Sequence, residues 1–365
     1  MKRNVPTIKD VAVIAGVSIS TVSRVLNHAD NVGEEIQRRV CTAVKETGYS
    51  VNPLASSLKS TKRNQIAIVV PTLRRNYYID IIKGINQYFY ERNIISVVLE
   101  SGGVLEKEKE IISSLQNLWI DGIVLIPAAY RDNEGYRSYA ASLSHLEKSG
   151  TKIPVVLLES SSINEALDLV RIDYETAFYE MTEHLLEIGR RKLAYFGNSP
   201  DAPLYKLVMK GIKRALEAYG LSTEEIMVKN DNYLILDGYH SAVSLLSENC
   251  RPDGIICVND QVAVGVLSAC EERGLEVPQE IALVSYEGLS FSAISTPPLT
   301  TMIVPRYKLG ETAASLLYER IEGSEKKPQK TILNAHMVVR RSSMNSAKKD
   351  LQMRMLESEN FAHGF

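Results

Sequence analysis

From Gln65 onward the chain is punctuated by short apolar runs set apart by amphipathic stretches, and no other feature limits its possible folds so tightly. The runs "IAIVV" (66–70), "ISVVLE" (95–100), "GIVLIP" (122–127) and "PVVLLE" (154–159) have the length and β-branched content of strands buried on both faces. Between them the apolar spacing predicts helices over about 77–92, 106–118 and 135–149. Alternating strand and helix gives a parallel sheet with helices on both faces. A second series repeats the plan: "LVRID", a helix over 174–189, "KLAYFG", a helix over 205–220, "GIICVND", a helix over 261–273, then "IALVSY". Two series imply two α/β lobes facing each other, with a ligand site at the carboxyl ends of the strands.

The first 64 residues have another texture. They hold ten Lys and Arg against five Asp and Glu, a balance of +5, and leave −7 for the rest of a chain whose net charge is −2. A basic head on an acidic body is the footprint of a nucleic-acid-binding unit joined to one with a different task, although an unevenly charged solvated surface would give the same count. Thr7 is placed to cap a helix with Ile8, Val11, Ala12 and Ala15 on one face, and Gly16 permits a tight turn. Ser18 then caps a second helix with Val22, Val25 and Leu26 inward and Ile19, Ser20, Thr21, Ser23 and Arg24 pointing elsewhere, ending at Asn27. A third, from Glu34 to Thr47, buries Ile36, Val40 and Val44 and stops at Gly48. Three short helices with a glycine turn between the first two make a helix-turn-helix unit.

The second helix is built from mediocre helix formers, each costing a few tenths of a kcal/mol relative to Ala. Short hydroxyl side chains let its backbone sink into a major groove, where they bond phosphates or base edges while Arg24 forks onto a guanine. A protein-docking module is the rival reading, but the helix shows no exposed apolar stripe. Downstream, Asn52 and Pro53 open "LASSLKS", which is too short to hold a helix unaided. It reads either as a flexible linker or as a helix formed only when held, with Leu58 as a wedge between base steps.

Several function classes fall away. The apolar runs are too short to span a bilayer, and Lys9 and Asp10 interrupt any leader-like stretch, so the cytoplasm is the expected compartment. Four cysteines form no close pair, six histidines are scattered singly, and there is no GxSxG elbow, GxxxxGK loop or HExxH motif. No catalytic centre, metal or cofactor is expected. A cleft solute-binding protein with a helical appendage shares the body plan but would need a signal peptide.

The segments "TIKDVAVIAGVSISTVSRVLN", "GYSVNPLASSLKS" and "IAIVVP" together resemble the lactose-repressor (LacI/GalR) family of bacterial transcription regulators, and the likeness continues to about residue 341. It implies a helix-turn-helix head over 1–50, a hinge helix and linker over 51–64, and a two-lobed, periplasmic-binding-protein-like α/β body with parallel sheets over 65–345. Lobe 1 would comprise about 65–160 and 293–326, and lobe 2 about 161–292 and 327–343, with three crossovers. The tail over 346–365 is expected to be disordered. Ile19, Ser20 and Arg24 would read bases. Thr7, Ser18, Thr21, Ser23, Asn27, Tyr49 and Asn52 would lie near the DNA backbone, and Ala55, Leu58 and Lys59 would enter the minor groove. Gly33 departs from the family's usual Ser cap of the third helix. The expected partners are a double-stranded, pseudo-palindromic DNA operator, a second copy of the chain and a small-molecule effector, sugar-like or another metabolite. Control by a partner protein is the alternative.

The same resemblance places effector contacts at Tyr77, Tyr78, Glu159, Leu204, Val208, Tyr233, Asn259, Asp260 and Glu287. Where sugar-binding members carry an anchoring Arg this chain has Val208. Glu287 stands for the usual Asp, and Gly288 for a second one. Losing the Arg removes a charge-assisted hydrogen bond worth about 1.5–3 kcal/mol. Lys206 is the expected substitute; otherwise the effector would be more apolar or cationic, stacking on the tyrosines.

Overall fold

The structure, a computed structural model, describes residues 6–26, 32–49 and 64–344 apart from residues 119, 129–133, 149, 161–165, 198, 201, 203, 231–232 and 248–250. Asn27, the hinge residues Asn52, Ala55, Leu58 and Lys59, and the tail from Ser346 lie outside the described residues. The chain divides into two compact units, Met1–Arg63 and Asn64–Phe365.

In the first unit α1 (Ile8–Ala15), α2 (Ile19–Leu26) and α3 (Glu34–Thr47) enclose a small core of Val11, Ala12, Ala15, Val22, Val25, Val40 and Ala43. Ile36 and Val44, expected inside, are half-buried at its margin, and Ala43 takes a place in the core. At the start of α1 the Asp10 carboxylate accepts from both the N–H (2.7 Å) and the hydroxyl (2.8 Å) of Thr7, so the cap is closed from inside the helix. Gly16 sits at φ +62, a left-handed conformation suited to Gly, and Arg39 of α3 donates to the carbonyls of Ala15 (2.5 Å) and Gly16 (3.3 Å), fastening the turn. Gly33 caps α3 with no side-chain acceptor, and Gln37 reaches back to the Val32 carbonyl instead (3.0 Å).

The second unit holds two six-stranded sheets. The strands are β1 (Gln65–Val70), β2 (Ile95–Glu100), β3 (Gly122–Leu125), the short β4 (Glu147–Lys148) and β5 (Thr151–Lys152), β6 (Val155–Leu158) and β7 (Asp168–Ile172). They continue with β8 (Leu193–Gly197), β9 (Met227–Asn230), β10 (Gly254–Cys257), β11 (Ala282–Glu287), β12 (Thr300–Ile303), β13 (Lys330–Leu333) and β14 (His336–Val338). The first sheet runs β13-β7-β6-β3-β1-β2, all parallel, and the second β14-β12-β11-β10-β8-β9, parallel except for β14. Alternation along β1 sends Ile66, Ile68 and Val70 to one face and Ala67 and Val69 to the other, so apolar layers cover both sides.

Around the sheets lie α4 (Asn76–Tyr90), α5 (Leu105–Asn117), α6 (Glu134–Ser142), α7 (Tyr174–Glu187), α8 (Tyr205–Ala218), α9 (Ile235–Leu246), α10 (Asp260–Glu272) and α11 (Arg306–Ile321). Glycines set the closest helix contacts. A Cβ added at Gly84 of α4 would collide with the Tyr307 carbonyl of α11, and one at Gly310 of α11 with the Ile81 carbonyl of α4. Gly238 of α9 and Gly265 of α10 form the same reciprocal pair.

Four expectations are corrected. β7, expected in lobe 2, pairs with β6 (Val156↔Asp168), because the chain adds this strand to the first sheet before crossing. β12, expected with 293–326 in lobe 1, pairs with β11 (Val284↔Thr300), and β13, expected with 327–343 in lobe 2, returns to the first sheet beside β7 (Lys330↔Leu169). The crossovers therefore fall between β7 and α7, β12 and α11, and β13 and β14. The helix expected over 135–149 stops at Ser142, since a 3₁₀ turn (Leu143–His145) and the β4–β5 hairpin around Gly150, at φ +78, take the rest of the segment. Among the described residues no helix is long and apolar enough to cross a membrane, and no group of three or more His, Cys, Asp or Glu is placed to hold a metal.

Candidate nucleic-acid interface and ligand cleft

Burial divides α2 cleanly. Val22 and Val25 enter the core of the head, while Ile19, Ser20 and Arg24 are exposed. Residues four apart share a helix face, so Ser20 and Arg24 stand one turn apart on the outward side. Ser18 accepts from the Thr21 N–H (3.1 Å), and its hydroxyl lies 2.7 Å from that of Ser20 and 2.8 Å from that of Thr21. This hydroxyl cluster collects at a helix N-terminus, where anions are favoured. Thr7 is exposed, whereas Ser23 and Tyr49 are half-buried and the Tyr49 ring packs on the head's core. The face can present one long cation and several short donors to a groove.

The second site lies where strands of both sheets end. Arg75 follows β1, Tyr77 and Tyr78 begin α4, Glu159 follows β6, Tyr233 precedes α9, Asn259 follows β10 and Glu287 ends β11. The structure brings Tyr77, Tyr78, Tyr233 and Glu287 together around a residue that sequence reasoning missed. The Arg75 guanidinium pairs with the Glu287 carboxylate across the lobes, its carbon 4.2 Å from the ring centre of Tyr233, 5.2 Å from Tyr78 and 5.5 Å from Tyr77. Burial works against the charge on Arg75, yet Glu287 and the flanking tyrosines outweigh it and hold its pKa above the usual value. Burial also pushes Glu287 up, against the opposing pull of Arg75 and Arg306, and raises Tyr233 to about 12. Arg306, also unforeseen, donates to Asp80 (3.0 Å) and to the Glu287 carbonyl.

The other expected contacts serve the frame. Glu159, at φ +52, accepts from the Ile172 N–H (3.0 Å), Tyr77 (3.0 Å) and Tyr174, tying β6 to the first crossover. Burial raises its pKa and these hydrogen bonds oppose the rise. Asn259 caps α10 through Val262 (2.8 Å) and donates to the Tyr233 carbonyl (3.0 Å), positioning that tyrosine indirectly. Asp260 is fully buried, accepting from Ser285 (2.5 Å), Leu289 (2.6 Å) and Thr301 (2.7 Å), and burial lifts it to about 7. Val208 is packed in the core, Leu204 is half-buried against it, and Lys206 is exposed. Arg75, rather than Lys206, brings a guanidinium among the cleft tyrosines. Its signal in the sequence was weak: an arginine just ahead of the tyrosine pair, with nothing local to show that it folds back.

Comparison with known proteins finds counterparts of both units. Residues 7–52 match the model for bacterial regulatory proteins of the lacI family, and residues 182–343 match a periplasmic binding protein-like domain. The chain is 28% identical over 341 residues to the HTH-type transcriptional repressor PurR of Vibrio atlanticus (strain LGP32), covering 93% of this chain and 99% of the relative. It is 29% identical, with the same coverage, to the HTH-type transcriptional regulator RegA of Clostridium saccharobutylicum. In fold it matches the Lac repressor dimer bound to operator and the anti-inducer ONPF, with a TM-score of 0.84 at 24% identity over 93% of this chain and 100% of that one.

Proposed function

Because this chain belongs to the LacI family and is a DNA-binding transcription regulator with an effector-binding body, we propose that it acts as a homodimeric repressor on a pseudo-palindromic operator, under control of a small molecule held between its lobes. The observation that carries the reading is the outward face of α2, where Ile19, Ser20 and Arg24 stand clear of a head whose core is complete without them. Ile19, Ser20 and Arg24 read bases. Thr7, Ser18, Thr21, Ser23, Tyr49 and, outside the described residues, Asn27 and Asn52 position the head on the phosphates. Ala55, Leu58 and Lys59 belong to a hinge over 51–64 that orders against the centre of the operator. The regulator works in the cytoplasm, where its operator is.

Exposed apolar side chains support a second copy: Tyr90, Ile95 and Val97 about the edge strand β2, and Leu234, Leu236 and Ile294 in the other lobe. An effector that binds one lobe arrangement more tightly than the other changes operator affinity by the ratio of those affinities, and operator changes effector affinity by the same factor. Tyr77, Tyr78, Tyr233 and Glu287 contact the effector, with Glu159, Asn259 and Asp260 holding the frame around them. Lys206 stays at the rim. Fluorescence anisotropy with the duplex upstream of its own gene tests the proposal. Tight binding that weakens steeply with salt, and with twofold stoichiometry, is expected. Binding that ignores salt, or a monomer that binds as well as a dimer, would overturn it.

A further inference from the structure

Arg75 holds an unusual place for a residue at the mouth of a cleft. Only 16% of its side chain is exposed, and its immediate neighbours Leu73 and Arg74 face solvent. Its guanidinium lies among three tyrosine rings with a carboxylate at its edge, and Tyr233 and Glu287 come from the opposite lobe. Electron-rich ring faces around a cation, completed by an anion, make the arrangement that recognises organic ammonium and guanidinium groups. Arg75 itself precedes the helix with extended backbone angles (φ −94, ψ 122), so its side chain can leave without unwinding α4.

We propose that the cleft selects a compact organic cation, an amine or guanidine carried by a small metabolite, and that Arg75 is a built-in competitor occupying the cation position until that effector arrives. The proposal rests on the effector-controlled reading above and specifies its ligand. An effector entering between the lobes must take the space beside Tyr233, and in doing so separates Arg75 from Glu287. Glu287 has only 4% of its side chain exposed, and a neutral ligand would strand its charge in a poorly solvated site. A cationic ligand replaces the charge it displaces. The neighbouring charges do not fill the role. Arg306 is committed to Asp80 and to the Glu287 backbone carbonyl, and the Glu159 carboxylate to Tyr77, Tyr174 and the Ile172 N–H.

Isothermal calorimetry of the full chain with methylguanidinium as probe tests this. Arg75→Ala empties the cage and is expected to bind the probe at least about tenfold more tightly than the parent, and Arg75→Ala combined with Glu287→Gln to lose that gain. Arg75→Gln, which keeps most of the stem, is expected to gain in the same direction and guards against misfolding of the alanine variant. Circular dichroism confirms that all three variants fold. Equal probe affinity in the parent and in the two Arg75 single variants would overturn the proposal, as would single variants that gain affinity for ribose or glucose instead. Operator anisotropy with and without probe separates the two readings. Probe binding that leaves operator affinity unchanged supports the cation cleft and removes its link to DNA, while operator binding with no gain in probe affinity removes the cleft inference alone.

Discussion

Replacing Arg24 with Ala probes the operator reading most directly. The side chain is exposed, engages no partner among the described residues, and stands on a helix held by Val22 and Val25, so folding should change by less than about 0.5 kcal/mol. On the proposed reading, what is lost is a fork onto a guanine, about 1–3 kcal/mol for each head. Two heads on one operator double that to about 2–6 kcal/mol, or roughly 30-fold to 10⁴-fold in affinity. A base contact and a phosphate contact separate on two further readouts. If Arg24 reads a base, binding to a scrambled duplex hardly changes, and the slope of log affinity against log salt stays as in the parent. If it only touches a phosphate, both duplexes weaken alike and the slope falls by about 0.9 per contact. Anisotropy titrations of both duplexes at several salt concentrations measure all of this. Equal losses on operator and scrambled DNA, or no loss at all, would refute the assignment of Arg24 as a reader.

Three other outcomes are expected. Gly84→Ala drives a methyl into the Tyr307 carbonyl and should cost about 1–3 kcal/mol in urea unfolding, whereas alanine at the unobstructed Gly33 should cost far less. Arg320→Ala strands Asp168, which Arg320 grips at 2.7 and 2.9 Å with 4% of the aspartate side chain exposed; a loss of about 3 kcal/mol in the same assay is expected, with Gln329 left as its backbone donor. Asp260, raised to about 7 by burial, binds its proton more tightly folded than unfolded. Its contribution is therefore whole below about pH 4 and is lost as pH rises through 7, so the stability margin over Asp260→Ala should shrink by up to about 1.4 kcal/mol per pH unit across that window, measured by thermal melts.

The head was legible because its signals are local. Ser18 bonds the Thr21 N–H, Gly16 takes the positive φ its turn requires, and Gly48 ends α3, all within a few residues of the signal that announces them. The apolar runs likewise announced β1, β2, β3 and β6. Sheet membership was harder, since no local pattern tells β7 to stay with β6 or β12 to join β11; those pairings depend on contacts between distant segments. β13 and β14 are edge strands of four and three residues, below the length at which periodicity speaks. At the cleft, Tyr77, Tyr78, Tyr233 and Glu287 were placed by likeness to relatives. Arg75 was invisible because its role lies in a partner 212 residues away.

The late return of the chain to both sheets also bears on how the protein is made. The first sheet lacks its β13 edge, and the second its β14 edge, until residues 330–338 have left the ribosome, whereas the three head helices are complete by residue 47. Domains fold as units in order of synthesis, so a nascent chain carries a finished head long before either lobe can close. Chains arrested before residue 330 should accordingly show a protease-resistant head and a digestible body, and only release past residue 338 should protect both.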